Sequence, residues 1–132
     1  MIPMSFTPSK FFITSGYATS PISDLNAFDL ALLKAQISEQ NLVAVSSVIP
    51  VGAEEVEVRE LPMGAVTFCV LSQMRGRSGD SLKEELSRKM KEMSRIRGVE
   101  FGEIHYRIEE LQVPQDEYGC CISALVFAEY RD

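Results

Sequence analysis

Hydrophobic residues along the chain fall into short runs that predict β-strands. Strands are predicted over residues 10–16, 41–45, 54–61, 65–71, 102–113 and 120–130, because these runs either alternate with polar residues or are continuously apolar. Gly16 is expected to end the first strand, and residues 61–64, with the sequence LPMG, to form a turn.

Two further segments carry apolar residues at helical spacing. The first helix is predicted to begin at Ser23 or Asp24, which can cap it, and to end near Ile37. The second is predicted from a capping box of Ser81 and Glu84 and is expected to end at Gly98. Their predicted buried stripes are Leu25, Phe28 and Leu32 in the first, and Leu82, Leu86, Met90, Met93 and Ile96 in the second.

The resulting order, β-α-β-β-β-α-β-β, predicts an α+β fold in which two helices pack on a layered sheet. A length of 132 residues suits one domain spanning residues 1–132.

The composition and net charge argue against several classes of binding partner. The chain carries 19 acidic and 13 basic residues, a net charge of −6, which argues against a nucleic-acid partner. Its longest apolar run, residues 41–50, is too short to span a membrane, and its N-terminus lacks the pattern of a signal peptide. A cytoplasmic protein is therefore expected. Three cysteines and a single histidine, His105, show no metal-site spacing, so no metal is expected.

One apolar segment contains an unusual polar pair. In residues 41–50, NLVAVSSVIP, a strand-like run leads into two adjacent serines, Ser46 and Ser47. Buried hydroxyls are costly unless each finds a hydrogen-bond partner. The pair therefore indicates either a turn or a site of chemistry.

Several segments together resemble the pyruvoyl-dependent arginine decarboxylases. They are LNAFDLALLKAQI, NLVAVSSVIP and LPMGAV, in that order, followed near the C-terminus by RGVEFGEI and YGCCISALVFAEY. The resemblance covers most of the chain and is more specific than any one of these motifs.

The resemblance implies that the chain cleaves itself between Ser46 and Ser47. Ser47 would be the precursor of a pyruvoyl cofactor, and Asn41 matches the family's asparagine that assists processing. Asp29 matches the family's carboxylate for the substrate guanidinium, to which a carboxylate can make paired hydrogen bonds. The implied reaction converts arginine, a small amino-acid substrate, to agmatine and CO₂, a step of polyamine biosynthesis. The implied assembly is a homotrimer with active sites between subunits.

The chain departs from the family pattern at one place. Family members carry an additional strand-loop-strand stretch, with the glutamate that serves as general acid, where this chain has only RGRSGD at residues 75–80. No glutamate here matches that residue, although Glu84, Glu85, Glu100, Glu103, Glu109 and Glu110 lie on later segments. Two alternatives therefore stay open: a non-catalytic homologue that acts as a structural or regulatory partner, and a pyruvoyl enzyme for another amino acid.

Overall fold

Two long antiparallel strands form the centre of the protein in a computed structural model, which describes residues 6–46, 48–72 and 79–131. The elements in chain order are β1 (Thr7–Ser20), α1 (Asp24–Lys34), β2 (Asn41–Ala44), β3 (Glu54–Glu55), β4 (Val66–Ser72), α2 (Gly79–Arg97) and β5 (Tyr118–Arg131). Strands β1 and β5 pair over nearly their whole length, from Thr7 opposite Arg131 to Ser20 opposite Tyr118.

The sheet has five strands in the order β2-β4-β5-β1-β3. The β1–β5 and β4–β5 pairs are antiparallel, whereas the β2–β4 and β1–β3 pairs are parallel. The predicted α+β class, with two helices and a layered sheet, is confirmed. Within the part of the chain that the structure describes, no helix is long and apolar enough to cross a membrane.

The strand predicted over residues 102–113 is wrong, and the last two elements are therefore α2 and a single strand. Ile104, Tyr106 and Ile108 do alternate with polar residues, but an extended segment with one covered side shows the same pattern as a paired strand. Two side-chain contacts link residues 102–113 to the rest of the chain instead. The Lys83 ammonium lies 5.9 Å from the centre of the Tyr106 ring, and the Cys121 thiol donates to the Glu109 carbonyl oxygen at 3.3 Å.

Several predicted boundaries also differ. The strand predicted over residues 54–61 is paired only at Glu54–Glu55. Helix α1 starts as predicted, with the Ser23 hydroxyl accepting a hydrogen bond from the Asn26 backbone N–H at 3.1 Å. It ends at Lys34 rather than near Ile37, because Gln36 takes a left-handed conformation with φ 68°.

Gly16 does not end the first strand, which continues to Ser20. It lies instead where α1 crosses the sheet. A Cβ atom at Gly16 would overlap the Ala31 carbonyl oxygen and would lie 2.8 Å from the Ala35 nitrogen. The glycine thus permits the close approach of helix and sheet.

The buried side of α1 is formed by small residues. Ala27, Ala31 and Ala35 are fully buried, whereas Leu25, predicted to be buried, is 73% exposed. The other two residues of the predicted stripe, Phe28 and Leu32, are partly buried against the core. The alanines let the helix backbone approach β1, where the Thr14 hydroxyl donates to the Ala35 carbonyl oxygen at 2.8 Å.

Replacing Gly16 with alanine is expected to lower the free energy of unfolding by about 1–3 kcal/mol, because the new methyl group meets backbone atoms that cannot rotate away. Chemical denaturation followed by circular dichroism measures the change. Gly102→Ala is the matched control, since a Cβ there has no neighbour within 4 Å. Equal stability of the two variants would contradict the tight crossing of α1 over Gly16.

Helix α2 keeps much of its predicted apolar stripe in contact with solvent. It starts at Gly79, before the predicted capping box, and Leu86, Met93 and Ile96 are 40%, 46% and 69% exposed. The prediction that this stripe is buried is therefore wrong for the single chain.

Candidate functional site

The serine pair follows directly on the end of a strand. Strand β2 pairs with β4 from Asn41 opposite Val66 to Ala44 opposite Cys69, and one more hydrogen bond joins the Val45 N–H to the Cys69 carbonyl oxygen at 2.9 Å. Ser46 itself is in neither helix nor strand and is exposed. Ser47, the predicted pyruvoyl precursor, lies outside the described residues.

A cavity of about 290 Å³ lies against this segment. Ser46 and Val48, the neighbours of position 47 in the sequence, both line it. Its remaining described lining is mostly aromatic and apolar, contributed by Phe6, Pro8, Val45, Phe68, Phe127 and Tyr130. A largely apolar cavity with few polar groups is typical of small-molecule sites.

The register of the sheet places this cavity on the face opposite α1. Phe12 pairs with Val126, and Val126 pairs with Cys69; all three are buried in the core beneath α1. Side chains of successive strand residues point to opposite faces, so Phe127 and Phe68 point away from α1. The ends of β4 and β5 therefore build the cavity on the second face.

Asn41 lies at the other end of β2 from the serines. Its side-chain amide donates to the Gly64 carbonyl oxygen at 2.7 Å, and its backbone N–H donates to the Ala65 carbonyl oxygen. Ser46 lies five positions after Asn41, a span of up to about 16 Å at ~3.3 Å per residue. The described contacts of Asn41 thus hold the turn at residues 61–64 against β2, and they do not reach Ser46.

Asp29 lies on α1 and is exposed. It makes no hydrogen bond or ion pair with any other residue of the described ranges. Because α1 and the cavity lie on opposite faces of the sheet, Asp29 and Ser46 do not share a site within one chain. Of the predicted site residues that the structure describes, Asp29, Asn41 and Ser46 are thus not brought together within a single chain.

Tyr130 is a candidate site residue that was not predicted from the sequence. It lies near the end of β5 opposite Pro8, and its ring packs edge-on against Phe68 with centroids 6.1 Å apart. Nothing near Tyr130 in the sequence distinguishes it from a surface tyrosine. Only the folded structure shows that Tyr130 lines the same cavity as Ser46.

The carboxylate of Glu129, the residue before Tyr130, interacts with basic side chains outside the cavity lining. Its carboxylate accepts a hydrogen bond from Arg59 at 2.8 Å and lies 3.6 Å from the Lys10 ammonium. The hydrogen bond from Arg59, together with the charge of Lys10, holds the pKa of Glu129 below its usual value. This glutamate is therefore ionised at neutral pH.

Comparisons with known proteins identify relatives that match most of the chain. The sequence model of the family described as pyruvoyl-dependent arginine decarboxylase matches residues 10–82 and 76–132. The enzyme of that name from Methanothermobacter thermautotrophicus is 32% identical, with 91% of this chain and 97% of the relative covered. The one from Methanopyrus kandleri is 27% identical with the same coverage of both chains. A probable enzyme of that name from Chlorobium luteolum is 43% identical over 53% of this chain and 40% of its own.

The alignments have one further feature. The alignment with the M. thermautotrophicus protein extends over 149 residues, which is longer than this chain of 132. The family match is in two parts, which overlap at residues 76–82, and this overlap includes most of the short RGRSGD segment at residues 75–80.

Proposed function

Because this chain belongs to the family of pyruvoyl-dependent arginine decarboxylases, we propose that it cleaves itself between Ser46 and Ser47 and then decarboxylates arginine to agmatine. The observation that carries the proposal is the apolar cavity lined by both sequence neighbours of position 47. A reactive group formed at position 47 would have Ser46 on one side of it and Val48 on the other.

The proposed cleavage needs no second protein. The Ser47 hydroxyl oxygen attacks the carbonyl carbon of Ser46, and the peptide C–N bond breaks as the ester C–O bond forms. Elimination then releases the carboxylate of Ser46 and leaves a dehydroalanine at position 47, which water converts to a pyruvoyl group and ammonia. Residues 1–46 become the smaller chain.

The residues around the cavity fit a pyruvoyl group derived from Ser47. Phe68 and Phe127 give it apolar walls. When present, the group supplies the electron-accepting carbonyl that amino-acid decarboxylation requires. In this proposal Asn41 assists processing indirectly, by fixing β2 against the turn at residues 61–64 and thus the direction in which the chain reaches Ser46.

We also propose that the working unit is a homotrimer with sites between subunits. Asp29 and the cavity lie on opposite faces of the sheet in one chain, so a second copy is needed to place a carboxylate near the substrate guanidinium. The exposed apolar residues of α2, Leu86, Met93 and Ile96, agree with a surface covered by assembly. Sedimentation measures the number of copies, and a monomer that decarboxylates arginine at full rate would overturn this part.

A non-catalytic homologue is the second candidate function. It is favoured by the short segment at residues 75–80 and by the absence of any carboxyl side chain among the described residues that line the cavity. Such a protein would keep the fold and assemble with a complete relative.

One measurement, the intact mass of the purified protein, distinguishes the two candidate functions. Intact mass of the purified protein is expected to show two chains separated between Ser46 and Ser47, with the second chain blocked at its N-terminus. Agmatine formation from arginine then tests the reaction. A single uncut chain after prolonged incubation would overturn the proposed enzyme and favour the non-catalytic homologue, whereas cleavage without agmatine would favour another amino-acid substrate.

A further inference from the structure

The cavity lined by Ser46 has few side chains that can donate a proton. Of its described lining residues, only Ser46 and Tyr130 carry a polar side chain. An ordinary alcohol such as that of Ser46 is too weak an acid to serve as a proton donor at neutral pH, whereas a phenol is the stronger acid by several orders of magnitude. Tyr130 is therefore the acid available in the described part of this cavity.

The glutamates of this chain lie elsewhere. Glu110 accepts a hydrogen bond from the Gly79 backbone N–H at the start of α2, and Glu85 pairs with Lys89 along the same helix at 3.1 Å. Glu129, next to Tyr130 in the sequence, is kept ionised by Arg59 and Lys10. None of these three lines the cavity, and the ionised carboxylate of Glu129 has no proton to donate.

The Tyr130 ring is held in place by a neighbouring side chain and still contacts solvent. Its ring is held edge-on against Phe68 at an interplanar angle of 82°, while the residue remains 36% exposed and so in contact with solvent. Burial raises the pKa of the phenol above its ordinary value, against a smaller opposing effect of a hydrogen bond from the Phe68 backbone. The phenol therefore carries its proton at neutral pH and can regain it from water.

We propose that Tyr130 is the proton donor of the decarboxylation, in place of the family glutamate that this chain lacks. The inference rests on the proposed function. As CO₂ leaves, the electron pair of the broken C–C bond stays with the substrate α-carbon. The Tyr130 O–H bond then breaks and its proton joins that carbon. The phenolate takes a proton from water, which restores the phenol for the next turnover.

Tyr130→Phe tests this role, because it removes the hydroxyl and keeps the ring that packs on Phe68. Self-cleavage should be normal by intact mass, while kcat falls about 100-fold or more, as expected for loss of a general acid. The basic limb of the pH profile of kcat should disappear. Tyr17→Phe is the matched control, since Tyr17 is 53% exposed on β1 and does not line the cavity.

A second measurement follows the fate of the substrate nitrogen. Without the phenol, the proton instead reaches the former ketone carbon of the pyruvoyl group from water. Hydrolysis then releases an aldehyde in place of agmatine and leaves the nitrogen on the protein as an N-terminal alanine at position 47. N-terminal sequencing of Tyr130→Phe after turnover should detect this alanine, and the Tyr17→Phe control should not yield it.

Each result has a definite meaning. If wild-type protein stays uncut, the proposed function fails and the role of Tyr130 fails with it. If wild-type protein makes agmatine and Tyr130→Phe matches it in kcat and in pH profile, only the role of Tyr130 is overturned. Should Tyr130→Phe not fold, wild-type protein made with 3-fluorotyrosine, a more acidic phenol, should have its basic limb at lower pH; an unmoved limb would overturn the role.

Discussion

Replacing Ser47 with alanine is expected to leave the chain in one piece and to reduce agmatine formation to background. Alanine has no hydroxyl oxygen to attack the Ser46 carbonyl and no leaving group for the elimination that follows, so no pyruvoyl group forms. Intact mass measures the cleavage, and release of CO₂ from carboxyl-labelled arginine measures the reaction.

Ser46→Ala is the matched control for this change. It removes the same oxygen atom one residue earlier, where the proposed chemistry uses only the backbone carbonyl carbon. This variant should therefore still be cut between positions 46 and 47, although a changed turn conformation can slow the cut. Cleavage of Ser47→Ala, or a complete block of both variants alike, would contradict the assignment of Ser47 as the attacking residue.

The strand that leads into the serine pair could be predicted from the sequence because its signals are local. A run of β-branched and apolar residues predicts β2, and the structure ends that strand at Ala44, just before the serine pair. The cap of α1 at Ser23 could be predicted from the same kind of local signal, because a serine hydroxyl just before a helix commonly accepts a hydrogen bond from a backbone N–H of the first turn.

The surroundings of that segment depend on strand register, which local patterns do not determine. Strand β5 runs antiparallel to β4, so its end lies towards the start of β4, and no property of Tyr130 itself indicates that it lines the same cavity as Ser46. The same holds for Gly16, a strand breaker by composition, which the close crossing of α1 explains instead. Residues 102–113 failed as a strand for a related reason, because alternation shows that one side is covered and not that the backbone is paired.

Asp29 is expected to determine the preference for arginine over uncharged amino acids. In Asp29→Asn, kcat/KM for arginine should fall about 10- to 150-fold, the equivalent of losing a hydrogen bond to a charged group worth ~1.5–3 kcal/mol. The variant should fold normally, since Asp29 is exposed and has no hydrogen-bond or ion-pair partner among the described residues. Steady-state kinetics and thermal unfolding measure the two effects separately.

Citrulline, used as a second substrate, tests whether the effect of Asp29→Asn depends on the positive charge of arginine. Its urea group has nearly the shape of a guanidinium but no positive charge, so Asp29→Asn should leave kcat/KM for citrulline within a few-fold of wild type while that for arginine falls. Asp24→Asn is the matched control, because it makes the same change in the first turn of α1 and should keep the preference for arginine. Equal losses for arginine and citrulline in Asp29→Asn would indicate a role in the fold or in assembly. Unchanged kinetics with both substrates would place the guanidinium elsewhere.

Mixing the impaired Asp29→Asn variant with the inactive Ser47→Ala variant extends the test to the contact between subunits. Asp29→Asn and Ser47→Ala affect different halves of a site that the proposed trimer builds from two copies. A mixed trimer should therefore contain some sites with a wild-type Asp29 from one copy and a pyruvoyl group from another. Activity that rises above the sum of the two variants after they are unfolded and reassembled together is the expected result. If each site lay within one chain, mixing would restore no activity, and the opposite placement of Asp29 and the cavity would need another explanation.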